Sequence, residues 1–231
     1  MASVLSVNVG APSPRRGRSA PTGIVKVPVD HIDVTDPGPK RRGPQGYGAS
    51  GVGGDFIGSG RHHGGSDQAV YAVAREELDH WSRELVRDLP DGMFGENITT
   101  TGLDVDAAEY ADVWTVGSAV LRVSAPRVPC ATFAQRMGER AWVRRFAERG
   151  RAGTYLAVLS PGVIRPGDDV VVQRSGSGLE ITSLLRAWMG DLDEIRAAMT
   201  YDDLDAESHR HFTRVLAKRG SQSPSRPAQS S

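Results

Sequence analysis

The chain has a single cysteine, Cys130, no long apolar run and no excess of either charge. One thiol forms no disulfide within the chain and cannot hold an iron–sulfur cluster, which takes several thiolates. Nothing approaches the roughly 18 consecutive apolar residues that cross a bilayer. The opening segment, MASVLSVNVGAPSPRRGR, sets its basic cluster after the short apolar run, the reverse of a secretory signal. Lysine plus arginine and aspartate plus glutamate number 28 each, so the net charge is zero. A dedicated nucleic-acid binder normally carries a basic excess, and an anionic membrane offers a neutral chain no electrostatic hold. These absences predict a cytoplasmic protein with no nucleic-acid partner, no membrane partner and one free thiol.

What is present is a globular composition, with 39% hydrophobic and 24% charged residues among 231. That is enough for one substantial core plus a small appendage. Ser3–Val9 alternates polar and apolar residues, and Gly23–Val34 is rich in β-branched ones; both read as strands. Pro37–Gly65 is dense in glycine and holds the run Lys40-Arg41-Arg42, which predicts a long mobile loop with its body at 36–61. Strands follow at 68–73, 97–101, 112–116, 119–124, 154–159 and 168–173, with Gly117-Ser118 as a hairpin turn. Helical spacing covers 75–88 and 139–149.

After the linker Ser175-Gly176-Ser177-Gly178 the strand signal stops. Three short helices are predicted at 183–188, 192–199 and 207–218, with Asp191 and Asp203 as N-caps. A Ser/Pro/Gln-rich tail, 219–231, is expected to be disordered. The expectation is a mainly β (β+α) protein: a barrel or sandwich domain over 1–175, then a helical appendage over 181–218.

Several motifs carry competing readings. Gly46-Tyr47-Gly48-Ala49-Ser50-Gly51 spells GxGxxG, but no strand precedes it and no helix follows, which excludes a dinucleotide site. His62-His63 lacks the further ligands of a zinc site. Gly64 and Gly65 allow a close backbone approach beside the His63 imidazole, or simply a turn. Gly92–Asn97 is a turn carrying Glu96 and Asn97 beside the aromatic Phe94, and taken alone it is ordinary. In Pro126-Arg127-Val128-Pro129-Cys130 the prolines hold Cys130 outside regular helix or strand. Arg127 there can activate a thiol or bind a phosphate. A reactive thiolate and a buried inert cysteine both remain open on these residues.

Three runs in order, His63-Gly64-Gly65-Ser66-Asp67-Gln68-Ala69, Phe94-Gly95-Glu96-Asn97-Ile98-Thr99-Thr100-Thr101-Gly102-Leu103 and Pro126–Cys130, resemble the MOSC domain family. The likeness is to its YiiM-type branch, in which a small helical domain follows the MOSC domain. It covers about residues 3–174, and the helical region more weakly. Ser66 stands where proline is common, Gln68 where a basic residue is usual, and Thr154 and Ala157 replace an aromatic residue and an arginine.

The resemblance implies a MOSC-type β-barrel with a few flanking helices that binds the molybdenum cofactor (molybdopterin). Cys130 is implied as molybdenum ligand or sulfur carrier. Arg127, Asn97, Gly64, Gly65, Asp55, Phe94 and Gly95 are implied around the cofactor, with Gly53-Gly54 in the same pocket wall. Pyridoxal phosphate binding attaches to the family as a general term only. The implied activity is reduction of small N-hydroxylated compounds such as hydroxylaminopurines and amidoximes, with His63 or Glu96 supplying protons. With no cluster cysteines, electrons would come from a separate reductase, and the helical appendage is a candidate dock for that partner. The alternatives are a persulfide or cofactor carrier without turnover, and a non-catalytic interaction module.

Overall fold

The computed structural model describes residues 1–220; the predicted tail beyond Gly220 lies outside the described residues. Most of the strands join one eight-stranded mixed sheet. Its first strand, β1 (Ser3–Gly10), is followed by the short hairpin β2 (Ser13–Arg15) and β3 (Arg18–Thr22), which stands apart from the main sheet. The segment read as one strand over 23–34 is two, β4 (Lys26–Val29) and β5 (Ile32–Val34).

The glycine-rich loop then leads to β6 (Val70–Ala74), helix α1 (Arg75–Leu85) and β7 (Ile98–Thr101). β6 and β7 are parallel neighbours, and that pairing obliges the chain to cross over through α1. Next come the hairpin β8 (Val113–Val116) and β9 (Ala119–Pro126), with Gly117-Ser118 at its turn. Helices α2 (Ala131–Met137) and α3 (Trp142–Arg149) precede β10 (Thr154–Ser160), β11 (Gly162–Ile164) and β12 (Val170–Gln173). The sheet order is β12-β8-β9-β10-β6-β7-β1-β4.

The class is β+α, as expected, but no strand ladder closes the sheet into a barrel. One isolated bridge, Ser3 to Asp169, links β1 to the start of β12, with Val4 N donating to Asp168 O at 2.8 Å. A proline at 166 and a glycine at 167 leave too little regular strand there for a full ladder.

Helix α1 ends three residues before its predicted end. Val86 takes the left-handed conformation, φ +50°, and its N–H bonds back to Arg83 O. Helix α2 went unpredicted, because seven residues are too few to display a helical period.

The last helices are α4 (Ile181–Trp188), α5 (Leu192–Ala198) and α6 (Ala206–Gly220). Asp191 caps α5 as predicted, accepting from the Asp193 and Glu194 amides. The cap of α6 is Asp205 rather than Asp203: its Oδ1 accepts from Glu207 N and Ser208 N. Asp203 instead offers its carbonyl to the Tyr110 hydroxyl. Ile181, Leu184, Ile195 and Phe212 share one buried core with Val70, Trp114 and Leu121 of the sheet.

A second core lies under α1, α2 and α3. Phe133 packs on Phe146, Phe94 and Trp142 with centroids 4.9, 5.4 and 5.5 Å apart, at the edge-to-face angles aromatic rings prefer. Among the described residues no helix is long and apolar enough to cross a membrane.

Candidate functional site

A cavity of about 840 Å³ opens where the end of β9, the β2–β3 hairpin, the glycine-rich loop and the start of α6 meet. Cys130 lines it. Pro126 ends β9 and Pro129 precedes the cysteine, whose backbone is extended (φ −133°, ψ 170°) and N-caps α2. The prolines therefore do what the sequence predicts. Three residues on, Phe133 is anchored in the aromatic core, so the Cys130 backbone is fixed from both sides.

Arg127 lies in the cavity wall, 5% exposed. Its guanidinium carbon stands 5.0 Å from the Phe133 ring and 5.2 Å from the Tyr71 ring, and Nη1 donates to Tyr155 Oη at 3.3 Å. Its Nε is buried without a partner. A buried guanidinium stays charged, so this wall carries a fixed cation within electrostatic reach of Cys130, with one of its donors left unpaired inside the fold.

Tyr71 and Tyr155 are direct partners in the β10–β6 register, which brings their rings to 5.1 Å. Neither was picked out from sequence. The only signal was a tyrosine inside an apolar strand, which needs a partner for its hydroxyl.

The His63-Gly64-Gly65 segment reaches the cavity through His63 and Gly64. Burial, with Arg127, Lys40 and His62 nearby, pulls the His63 pKa down to about 3. The imidazole is thus neutral at physiological pH. The glycines do allow a close approach, but to the chain itself. At φ +83° and +85°, a Cβ on Gly64 would meet Ala49 O at 2.4 Å and one on Gly65 would meet Lys40 N at 2.5 Å. The loop is stapled across the motif by Gly65 N donating to Ala49 O and Ser66 N to Gly38 O, so it is ordered over 38–50.

Asn97 and Gly95 also line the cavity, but the Asn97 amide is already engaged. Its Nδ2 donates to Asn8 O at 3.2 Å and Asp55 Oδ2 at 3.1 Å, and its Oδ1 accepts from Tyr71 N at 3.2 Å. Asp55 sits behind this wall. It accepts from Gly10 N, Ser50 Oγ and Lys26 Nζ, the last at 2.5 Å. Burial pushes the Lys26 pKa down, which its ion pair with Asp55 opposes. Gly53 and Gly54 are exposed and away from the cavity lining.

Two further implied residues belong elsewhere. Glu96 is fully buried and does not line the cavity; it ties its own turn by accepting from Gly92 N at 2.5 Å, Phe94 N at 2.9 Å and Thr99 Oγ1 at 3.1 Å. Burial lifts its pKa to about 7 against those hydrogen bonds. Phe94 lies in the aromatic core, 1% exposed.

Sequence reading also missed the far wall. Trp188, Asp205, Glu207 and Ser208 bring the last helices into the lining, and Lys40 pairs with Glu207 to tie the glycine-rich loop to α6. Among the described residues no three His, Cys, Asp or Glu side chains are grouped to hold a metal ion. A metal held through Cys130 would therefore need the rest of its ligands from a cofactor.

The MOSC domain family model matches residues 59–171. The chain is 32% identical over 182 residues to the uncharacterized protein YflK of Bacillus subtilis, covering 78% of this chain and 77% of that one. It is 35% identical over 132 residues to a protein named reductase from Gibberella moniliformis, which covers 55% of this chain but only 23% of the relative. Among solved structures, YiiM from Geobacillus stearothermophilus superposes with a TM-score of 0.72 at 26% identity, covering 94% of this chain and 100% of that one.

Proposed function

Because the chain belongs to the MOSC domain family, a molybdenum-cofactor-related one, we propose that it is a reductase of N-hydroxylated compounds that holds the cofactor through Cys130. The observation that carries this reading is the pairing, in one cavity wall, of the only thiol with a buried guanidinium whose Nε has no partner. That donor set fits the group: a thiolate for the metal and a fixed cation for a phosphate. Bound there, the cofactor would supply the redox centre at which an N–O oxygen is removed and released as water.

The chain's own residues do the rest. Cys130 offers one sulfur ligand on a backbone that the prolines and Phe133 prevent from moving. Arg127 offsets the cofactor's negative charge. Tyr71 and Phe133 pack against that guanidinium and Tyr155 Oη accepts a hydrogen bond from it, which together hold its plane. His63, neutral, acts as a hydrogen-bond donor or acceptor rather than as an imidazolium acid. Glu96 takes no direct part, since its carboxyl is enclosed in its own turn. A relative named reductase supports the reaction class. With a single cysteine, the chain takes its electrons from a separate reductase.

The test is expression in a molybdenum-replete host. Stoichiometric molybdenum in the wild type that is lost in Cys130→Ala supports ligation, and turnover of 6-hydroxylaminopurine or benzamidoxime with a chemical donor supports the activity. Metal-loaded protein that turns over neither sinks the activity for those substrates. A cyanide-labile sulfur on Cys130 without molybdenum means a carrier instead.

A further inference from the structure

We propose that Arg42 and Arg61 form a subsite at the cavity mouth for a phosphate monoester on the substrate, so that the preferred substrate is a phosphorylated N-hydroxylated compound. This rests on the reductase reading for the reaction, but not for the binding. The argument starts from charge bookkeeping within the cavity. Two of its carboxylates are paired with cations, Asp67 with Arg122 and Glu207 with Lys40; Asp205 caps α6 through Oδ1, its Oδ2 is unpartnered, and it leaves one negative charge against the cavity's arginines. Lys26 is cancelled by Asp55. Arg42 and Arg61 line the same cavity, are exposed, and have no carboxylate or hydrogen-bond partner among the described residues.

Their backbones are brought together rather than scattered. A Cβ on Gly60 would meet Arg41 O at 2.4 Å, so the chain before Arg42 and the chain before Arg61 run in contact. Gly60 N also donates to Gly46 O at 2.9 Å. The loop thus sets two arginines without a carboxylate partner on neighbouring stretches of backbone in the lining of one cavity, where a multivalent anion can engage both.

A third cation, Arg15, lines the inner side with its Nε buried and unpartnered, and its Nη1 donates to Thr132 Oγ1 at 2.9 Å. Thr132 is two residues from Cys130, so Arg15 and Arg127 serve the cofactor end, leaving Arg42 and Arg61 for whatever extends to the mouth. A substrate whose N–O group lies at the cofactor and whose other end carries a phosphate spans the two.

The experiment is calorimetric titration of the full-length, cofactor-loaded protein with purine riboside 5′-monophosphate and with the neutral riboside. Wild type, Arg42→Ala/Arg61→Ala and, as a control outside the cavity, Arg41→Ala are compared. Each guanidinium–phosphate contact is worth about tenfold, so the monophosphate should bind about a hundredfold more tightly than the riboside at low salt. That preference should shrink at high salt, vanish in the double variant and survive in Arg41→Ala.

Molybdenum content and riboside binding should be the same in all three proteins. Equal binding of the two ligands by wild type overturns the proposal, as does a preference that the double variant retains. Loss of molybdenum from the double variant also overturns it, because the arginines would then hold the cofactor's phosphate. Monophosphate binding that depends on both arginines, in a protein that reduces no N-hydroxylated compound, upholds the subsite and sinks the reductase reading.

Discussion

Replacing Glu96 by glutamine tests the effect of burial on that carboxyl. In the fold its pKa is about 7, against an ordinary value of 4.5, chiefly because it is buried. An acid whose folded-state pKa is raised binds its proton more tightly in the native than in the unfolded chain. Stability attributable to it is therefore highest below about pH 4.5, falls as the pH rises, and levels off above about 7. At about 1.36 kcal/mol for each tenfold change in proton affinity, the full cost is a little over 3 kcal/mol, of which about 2 to 3 kcal/mol accrues between pH 5 and 8.

Asp106, lifted to about 6 by burial, adds a slope of the same sign. His63, lowered to about 3, adds one of opposite sign, reduced by its partial exposure to solvent. The wild-type curve alone is therefore composite, but both contributions cancel in the difference between wild type and Glu96→Gln. Urea midpoints for the two proteins, taken from pH 5 to 8, should give a wild-type stability that falls relative to the variant by about 2 to 3 kcal/mol. A difference that stays level across that range, or that grows with pH, would refute the burial argument.

Three further outcomes are expected. Val86→Gly should raise the urea midpoint, by about 1 kcal/mol of stability, since Val86 is exposed and held at φ +50° where only glycine is unstrained. Asp55→Ala should lower stability by about 3 to 5 kcal/mol by leaving Lys26 buried and unpaired. Lys26→Met combined with Asp55→Asn should recover part of that loss in the same denaturation assay. Truncation at Gly178 should yield no cooperative unfolding transition, because it strips Leu184, Ile195 and Phe212 from the core of the sheet. Activity with a chemical electron donor would then be lost together with any reductase-driven activity.

Local chemistry was legible in the chain. Prolines interrupt regular structure wherever they occur, so the place of Cys130 outside helix and strand follows from Pro126 and Pro129, although the helix that it caps does not. Periodicity found the long helices and most sheet strands, and a cysteine count of one confines thiolate ligation to one residue. Tertiary structure decided which polar groups remain free to act, because a hydrogen-bonding side chain reveals its partners only when distant segments meet. Asn97 and Asp55 look available in sequence, yet Asn8, Tyr71, Lys26 and Ser50 have already claimed them. Glu96 is taken up by the amides of its own turn. Conversely, the register of β6 and β10 alone creates the Tyr71–Tyr155 pair around Arg127, and only loop packing puts Arg42 and Arg61 into the lining of one cavity.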